Sequence, residues 1–345
     1  MTNKDELSGL SRRTFGKMIG LAGSAAMLGL AGGVEQAAAA PDDWKQWINS
    51  THDKPIKMAV SCYNTTNPYY RPTQVGALDA GDQLGIQVDW TGVPDGNTVA
   101  QIAQFQQLVG SGYQAIVVIP LEADAWIAPI EKATAAGVIV LTANSDSPNS
   151  GRELFFGQDL VGAAVVQGEL IAKLAGGKGD VALTNCAPGL LALDQRIQGA
   201  KQGATKGGLN VVNVYNTNPS DMASELATIK DILKANPNLA AIMPLCGPDT
   251  AAAGLVRKEM NLKHPIVGCD LMYQTLELIK SGHIDATIGQ QPYMQGYMPI
   301  TYAYQRAILG APKLALPGGN YFMANEIVTK DNVDSFLVRE KRFQG

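Results

Sequence analysis

Short apolar runs recur along this chain with a helical segment behind nearly every one of them, and that alternation limits the fold more than any other feature. Residues 115–119, AIVVI, form the clearest run. Five consecutive apolar residues, mostly β-branched, suit a strand buried on both faces of a parallel sheet. A helix opening at Thr98, with Ile102, Phe105 and Leu108-Val109 on one face, precedes it, and another over about 125–136 follows. The same order begins at Met58-Ala59-Val60, with a helix through Val75, Leu78 and Leu84, and continues in strands over 86–90 and 138–141. It restarts at Leu154-Phe155-Phe156. Strands over 181–183, 211–215, 240–243, 266–268 and 285–288 then alternate with helices over 161–174, through Leu193, Ile197 and Ala200, and over 220–234, 250–260 and 275–280. A last helix opens near Gln290 and ends near Leu309. Two such runs in 345 residues exceed what one core usually holds, so the prediction is an α/β chain with two doubly wound parallel-sheet lobes.

Residues 1–40 read as an export leader rather than as fold. Ser11-Arg12-Arg13-Thr14-Phe15-Gly16-Lys17 precedes a mild apolar stretch over 18–31 and then four alanines, Ala37 to Ala40. The apolar stretch is short and glycine-rich, below the roughly 20 residues that span a bilayer. The arginine pair resembles the twin-arginine (Tat) export motif, which predicts a signal peptide cleaved after Ala40 and a periplasmic destination. Residues 41–52 carry Trp44, Trp47 and Ile48 at helical spacing and predict a short helix packed on the body. The formal net charge of −4 offers no basic face for nucleic acid. The four cysteines, Cys62, Cys186, Cys246 and Cys269, match no zinc or redox spacing. All fall at predicted strand ends and read first as buried thiols, with a disulfide open in an oxidising compartment.

Enzyme signatures are missing. Gly176-Gly177-Lys178-Gly179 lacks the phosphate-loop spacing and precedes a strand, so it reads as a turn. There is no G-x-G-x-x-G after a strand and no G-x-S-x-G elbow. His264 and His283 lie in short connections, and no nucleophile sits beside a base. The prediction is a protein without catalytic residues, metal or cofactor. The strand ends carry something else. Asn67, Tyr69 and Tyr70 follow the first strand, and Asn144 and Asp146 the fourth. Arg196 lies early in a helix; Asp249, Asp270 and Gln290 follow later strands. In open parallel sheets ligands bind just beyond these ends. Planar hydrogen-bonding groups suit sugar hydroxyls, which both donate and accept, and an aromatic ring suits a sugar's apolar face. An Asp or Asn at such a position can also serve only as a helix cap.

From the first strand to about Gln305 the chain resembles the type I periplasmic sugar-binding proteins, the ribose-binding family. Asn67-Pro68-Tyr69-Tyr70 is similar to that family's N-P-F-F loop, Val267-Gly268-Cys269-Asp270 to its G-x-D segment, and Ala286-Thr287-Ile288-Gly289-Gln290-Gln291-Pro292 to its A-T-I-x-Q-x-P segment. Arg196 falls where the family places a sugar-binding arginine. Asn144-Ser145-Asp146 stands where ribose binders carry an aspartate-arginine pair, Pro248 where they carry an asparagine, and Met222 where they keep a phenylalanine. These departures, with Phe155-Phe156-Gly157-Gln158 and Gly247-Pro248-Asp249, look more like the rhamnose- and autoinducer-binding branch, so the framework of the site carries over and the identity of the sugar does not. The resemblance implies a monomeric solute-binding component of an ABC importer that delivers a monosaccharide or similar polyol to a membrane permease. A ligand-presenting role in chemotaxis or quorum signalling is the alternative. It also implies an N-terminal lobe of residues 53–157 and 291–318, a C-terminal lobe of 158–290 and 319–345, and three hinge crossovers near Gly157, Gln290 and Gly318-Gly319. Asn67, Tyr69, Tyr70, Asn144, Asp146, Arg196, Met222, Asp249, Asp270 and Gln290 are the ligand-binding residues it predicts.

Overall fold

The computed structural model describes residues 55–218 and 221–343; the predicted leader and the 41–52 helix lie outside the described residues. Each lobe is built on parallel strands with helices on both faces, apart from one antiparallel edge strand in the second. In the first, the strands are β1 (Lys57–Cys62), β2 (Gln87–Gly92), β3 (Ala115–Ile119), β4 (Ile139–Ala143), β5 (Phe155–Gln158) and, from far along the chain, β11 (Asn320–Met323). They lie in the order β11-β5-β4-β3-β1-β2, every pairing parallel. The second lobe holds β6 (Gly179–Asn185), β7 (Leu209–Asn216), β8 (Leu239–Pro244), β9 (Val267–Cys269), β10 (Ala286–Gly289) and β12 (Glu326–Thr329). Its two three-stranded pieces, β7-β6-β8 and β12-β10-β9, meet at a parallel bridge between Ile242 and Ile266; β12 runs antiparallel to β10.

Period-two alternation divides each strand's side chains between the two helical layers. On β3, Ala115, Val117 and Ile119 join the core under α1 (Arg71–Leu84) and α9 (Pro292–Ala307). Ile116 and Val118 face Phe105 of α2 (Thr98–Gly110), Ile130 of α3 (Ile127–Ala135) and Trp126 just before α3. The second lobe repeats this. Val181 and Leu183 pack with α4 (Leu160–Leu174) and α5 (Leu191–Lys206), whereas Ala182 and Ile242 pack with α6 (Met222–Ala235), α7 (Gly247–Glu259) and α8 (Tyr273–Lys280). α1 and α9 touch backbone to backbone: a Cβ on Gly76 would lie 2.1 Å from the Tyr293 carbonyl oxygen, and one on Gly296 2.0 Å from that of Thr73. Only glycine permits that approach.

Gln158 ties the passages between lobes together. The chain leaves the first sheet after this residue, and its Nε2 donates to the Gly289 carbonyl at the second passage (2.9 Å) and to Asn325 Oδ1 at the third (2.8 Å). The third passage therefore lies at Ala324-Asn325 and not at Gly318-Gly319, because residues 320–323 add the edge strand β11 to the first sheet before the chain crosses. The last segment returns as well. α10 (Val333–Glu340) packs on α8, and beyond it Phe343 and Arg342 rest against Tyr293 of α9.

The cysteine reading needs a correction. Cys186 and Cys246 form a disulfide, while Cys62 and Cys269 are buried thiols. The two partners follow β6 and β8, which are neighbours in the sheet, so their Cα atoms lie 6.5 Å apart, within the usual span of such a bridge.

Candidate functional site

Side chains from the ends of both sheets meet in one continuous hydrogen-bonded cluster. The loop after β1 supplies Tyr69 and Tyr70, held by a short 3-10 turn that Asn67 caps by accepting from the Tyr69 N–H at 3.0 Å. The two rings stand edge to face, 5.0 Å apart. Asn144, just past β4, accepts from Tyr70 Oη (3.1 Å), and its Nδ2 lies 2.9 Å from Tyr69 Oη, 3.2 Å from Gln290 Oε1 and 3.1 Å from Gln295 Oε1. Gln290, just past β10, donates to Asp270 Oδ1 at 2.6 Å, and the same oxygen accepts from Arg196 Nη2 at 3.2 Å. Arg196 also donates to the Leu245 carbonyl (2.8 Å). The path thus runs from the first lobe's tyrosines through Asn144 and Gln290 to the second lobe's ion pair without a break.

The backbone at these positions is unusual. Four non-glycine residues have positive φ among the described residues, and three of them are here: Asn144 at 63°, Asp270 at 69° and Gln291 at 56°. Each such conformation costs roughly 1–3 kcal/mol for a non-glycine residue and persists only where the surroundings enforce it. At Asp270 they do: its N–H donates to the Ile288 carbonyl (2.9 Å) and its carbonyl accepts from Thr287 Oγ1 (2.8 Å). The turn aims its carboxylate at Arg196.

Burial sets the electrostatics. It raises the Tyr69 and Tyr70 phenols well above their ordinary range and Tyr63 to about 12, so all three are neutral hydroxyls that can donate and accept. Burial, the largest single influence, pulls the Arg196 guanidinium downward, but the Asp270 carboxylate together with Cys269 and Tyr69 outweighs it and the net shift is upward. The cluster carries a fixed, balanced pair of charges among neutral amides and phenols.

Two cavities adjoin it. An inner one of about 40 Å³ is lined by Asn67, Tyr69, Tyr70, Asn144, Arg196, Asp270 and Gln290, together with Tyr63, Pro248 and both disulfide cysteines. An outer one of about 540 Å³ shares Asn67, Tyr69 and Tyr70 as a common wall.

Three predicted residues stand elsewhere. Asp146 is spent within the first lobe: Arg152 clasps it through Nε (2.8 Å) and Nη2 (2.6 Å), Thr142 donates to it, and Arg152 goes on to the Gly319 carbonyl and Asn320. Asp249 is fully buried and lines neither cavity; it accepts from the hydroxyls of Thr184 and Thr217 (2.9 Å to the latter). Met222 begins α6, is partly exposed and lines neither cavity. Cys186, Cys246 and Asp249 bring their sulfur and oxygen atoms within 4.8 Å of one another. With the sulfurs joined and Asp249 taken by threonines, that trio has no free donor set for a metal. Tyr63, which lines the inner cavity, and Gln295, which bonds to Asn144 and Gln290, adjoin the cluster and were not picked out in the sequence. Gln295 lies one helical turn beyond Gln290, and its Nε2 donates to the Gln290 carbonyl at 2.9 Å.

Comparison with known proteins places this geometry. The model of the periplasmic binding protein domain matches residues 58–311. The xylose/arabinose-binding protein XylF of Sulfolobus acidocaldarius is 26% identical over 298 residues, which cover 81% of this chain and 72% of that protein. The D-allose-binding periplasmic protein of Escherichia coli is 26% identical over 251 residues, 68% of this chain and 79% of that one. Among solved structures, an ABC transporter solute-binding protein from Burkholderia graminis in complex with D-arabinose superimposes with a TM-score of 0.77 at 26% identity, covering 82% of this chain and 98% of the other. With two parallel-sheet lobes, three passages between them and a family match over most of its length, the chain belongs to the periplasmic binding proteins, in their type I, sugar-binding division.

Proposed function

We propose that this protein captures a sugar in the cleft between its lobes and hands it to the membrane permease of an ABC importer. The observation that carries the reading is the unbroken chain of hydrogen bonds from Tyr69 and Tyr70 through Asn144 and Gln290 to Asp270 and Arg196. Every group in it is a partner for a hydroxyl, and the groups come from both lobes. Sugar-binding relatives and a D-arabinose complex of the same fold point the same way. Asn67, Tyr69, Tyr70, Asn144, Arg196, Asp270 and Gln290 are the residues that would meet the ligand; Asp146, Asp249 and Met222 are left out.

The inner cavity holds little more than one water's share of liquid volume, about 30 Å³. Entry of a sugar therefore requires the lobes to part and the Asn144–Gln290 contact to break, after which sugar hydroxyls take over those bonds as the hinge closes. The passages knotted by Gln158 are where that motion would turn. The protein acts as a monomer without catalysis, and residues 1–40 direct it to the periplasm through the Tat route.

The test is a thermal-shift screen of the mature protein against pentoses, hexoses and polyols, followed by calorimetry on each hit. A true ligand raises the melting temperature by mass action, with an expected dissociation constant on the order of 1 µM. A flat response to the whole panel would refute sugar capture.

A further inference from the structure

The wall of the inner cavity contains a covalent bond as well as its hydrogen-bonded cluster. Both cysteines of the Cys186–Cys246 bridge line it, beside Arg196 and Asp270. Cys186 is half-buried and Cys246 buried, so the bridge reaches from the cavity wall toward solvent. It sits where the sheet stops. The β6–β8 ladder ends with Thr184 opposite Pro244. Past that pair the two segments diverge: one turns through Ala187 and Leu190 into α5, and the other begins α7 at Cys246. The disulfide ties them together beyond the last ladder pair.

Arg196 depends on both segments. Its side chain is carried by α5, downstream of Cys186, and its carbonyl acceptor at 2.8 Å is Leu245, the residue before Cys246. Its other acceptor is Asp270, at 3.2 Å. A guanidinium is a rigid planar fork and serves two acceptors only while their spacing is held. A drift of about 1 Å between the segments carries the Leu245 bond beyond ordinary hydrogen-bonding reach, roughly 3.2 Å. Freed from Leu245, the guanidinium would have to be ordered by each incoming ligand, and ordering a long side chain subtracts from affinity.

Resting on the sugar-capture reading, we propose that the Cys186–Cys246 bridge is a positioning element of the sugar site. It fixes α5 and Leu245 at the spacing that presents Arg196 to the ligand, and the oxidised protein is the form that captures sugar tightly. Opening the bridge takes two electrons and two protons. A dithiol supplies them, closing to its own cyclic disulfide and leaving one thiol on each cysteine. Cys62 and Cys269 are already thiols, so this is the one disulfide among the described residues that a dithiol alters.

Calorimetry with the pentose, hexose and polyol panel, D-arabinose and D-xylose included, tests this on the protein before and after dithiothreitol treatment. Both forms are held well below the melting midpoint of the reduced one, so that affinity is read on folded chains. For each sugar that binds, the dissociation constant should rise about tenfold on reduction, equivalent to about 1.4 kcal/mol. Cys186→Ala combined with Cys246→Ala should bind like the reduced protein and ignore dithiothreitol. A brace of the fold alone would also lower the melting temperature, so Arg196→Lys separates the two roles. That substitution should weaken binding in the oxidised protein and add little once the bridge is open. Equal affinity in the two redox forms, or an Arg196→Lys effect of the same size in both, overturns the positioning role and leaves sugar capture standing. A reduced protein with no cooperative melt also overturns it, because the bridge would then hold up the lobe rather than the site. Silence of the oxidised protein toward the whole panel removes sugar capture and this role together.

Discussion

Asp270→Ala should unsettle the whole second lobe and not merely the ligand site. Asp270 and Arg196 are a buried pair, with side chains 5% and 6% exposed and 3.2 Å between Oδ1 and Nη2. Removing one partner leaves the other's charge uncompensated in a medium that cannot screen it, at a cost of about 3–5 kcal/mol. Spread over a chain of this size, where each kcal/mol moves the midpoint by about 2 °C, that is a fall of roughly 6–10 °C. Asp270→Asn keeps an acceptor for Gln290 Nε2 and should lose less, about 1.5–3 kcal/mol for the charge-assisted bond to Arg196. Arg196→Met together with Asp270→Ala removes both charges and should recover much of the single variant's loss. Thermal and urea denaturation of the four proteins completes the cycle, and calorimetry on the folded ones gives the effect on binding. Strict additivity of the two single changes would refute the argument, since the cost would then not come from an orphaned guanidinium.

Other parts of the molecule respond to perturbation in equally definite ways. Glu225 is fully buried, and burial, then the nearby Asp249 carboxylate, lifts its carboxyl from 4.5 to about 8. The folded protein therefore keeps a proton that the unfolded chain has lost between about pH 4.5 and 8, so stability falls as pH rises through that window. Glu225→Gln should flatten the melting temperature across it, and parallel profiles for the two proteins would contradict this. Gly296→Ala drives a methyl group into the Thr73 carbonyl where α1 and α9 touch, and should cost about 1–3 kcal/mol or more by urea denaturation; an unchanged midpoint would mean that the helices part freely. Reducing the Cys186–Cys246 bridge, which spans 60 residues, releases about 4 kcal/mol of chain entropy into the unfolded state. Melting with and without dithiothreitol reads it directly, and Cys186→Ser should make the protein indifferent to the reductant.

Much of this architecture is visible in the order of the residues, because strands buried on both faces leave continuous apolar runs and the helices between them are amphipathic. The run at 115–119 is a strand over the same five residues. β11 and β12 are different: each has four residues and lies at a sheet edge, and both pair with a strand far along the chain. The site shows the same division. Asn144, Asp270 and Gln290 are recognisable as polar groups past strand ends, and the fold brings them together. Asp146 occupies an equivalent place, yet Arg152 six residues later claims it, and that arginine is itself anchored to a turn near residue 319. Asp249 is drawn inward by Thr184 of β6 and by Thr217 just past the adjoining β7. Neither competitor can be recognised without knowing which strands are neighbours. Strand order also decides the disulfide, since Cys186 and Cys246 approach only because β6 and β8 lie side by side.

The return of the last residues to the first lobe matters at the bench. Phe343 packs on Tyr293 and forms part of the outer cavity's wall, so a tag joined near it in sequence bears on that contact and on that wall. A purification handle placed there would load the packing of Phe343 on α9. Handles and fluorophores belong elsewhere, for instance at exposed Gly110 at the end of α2, where a side chain would meet nothing within 4 Å.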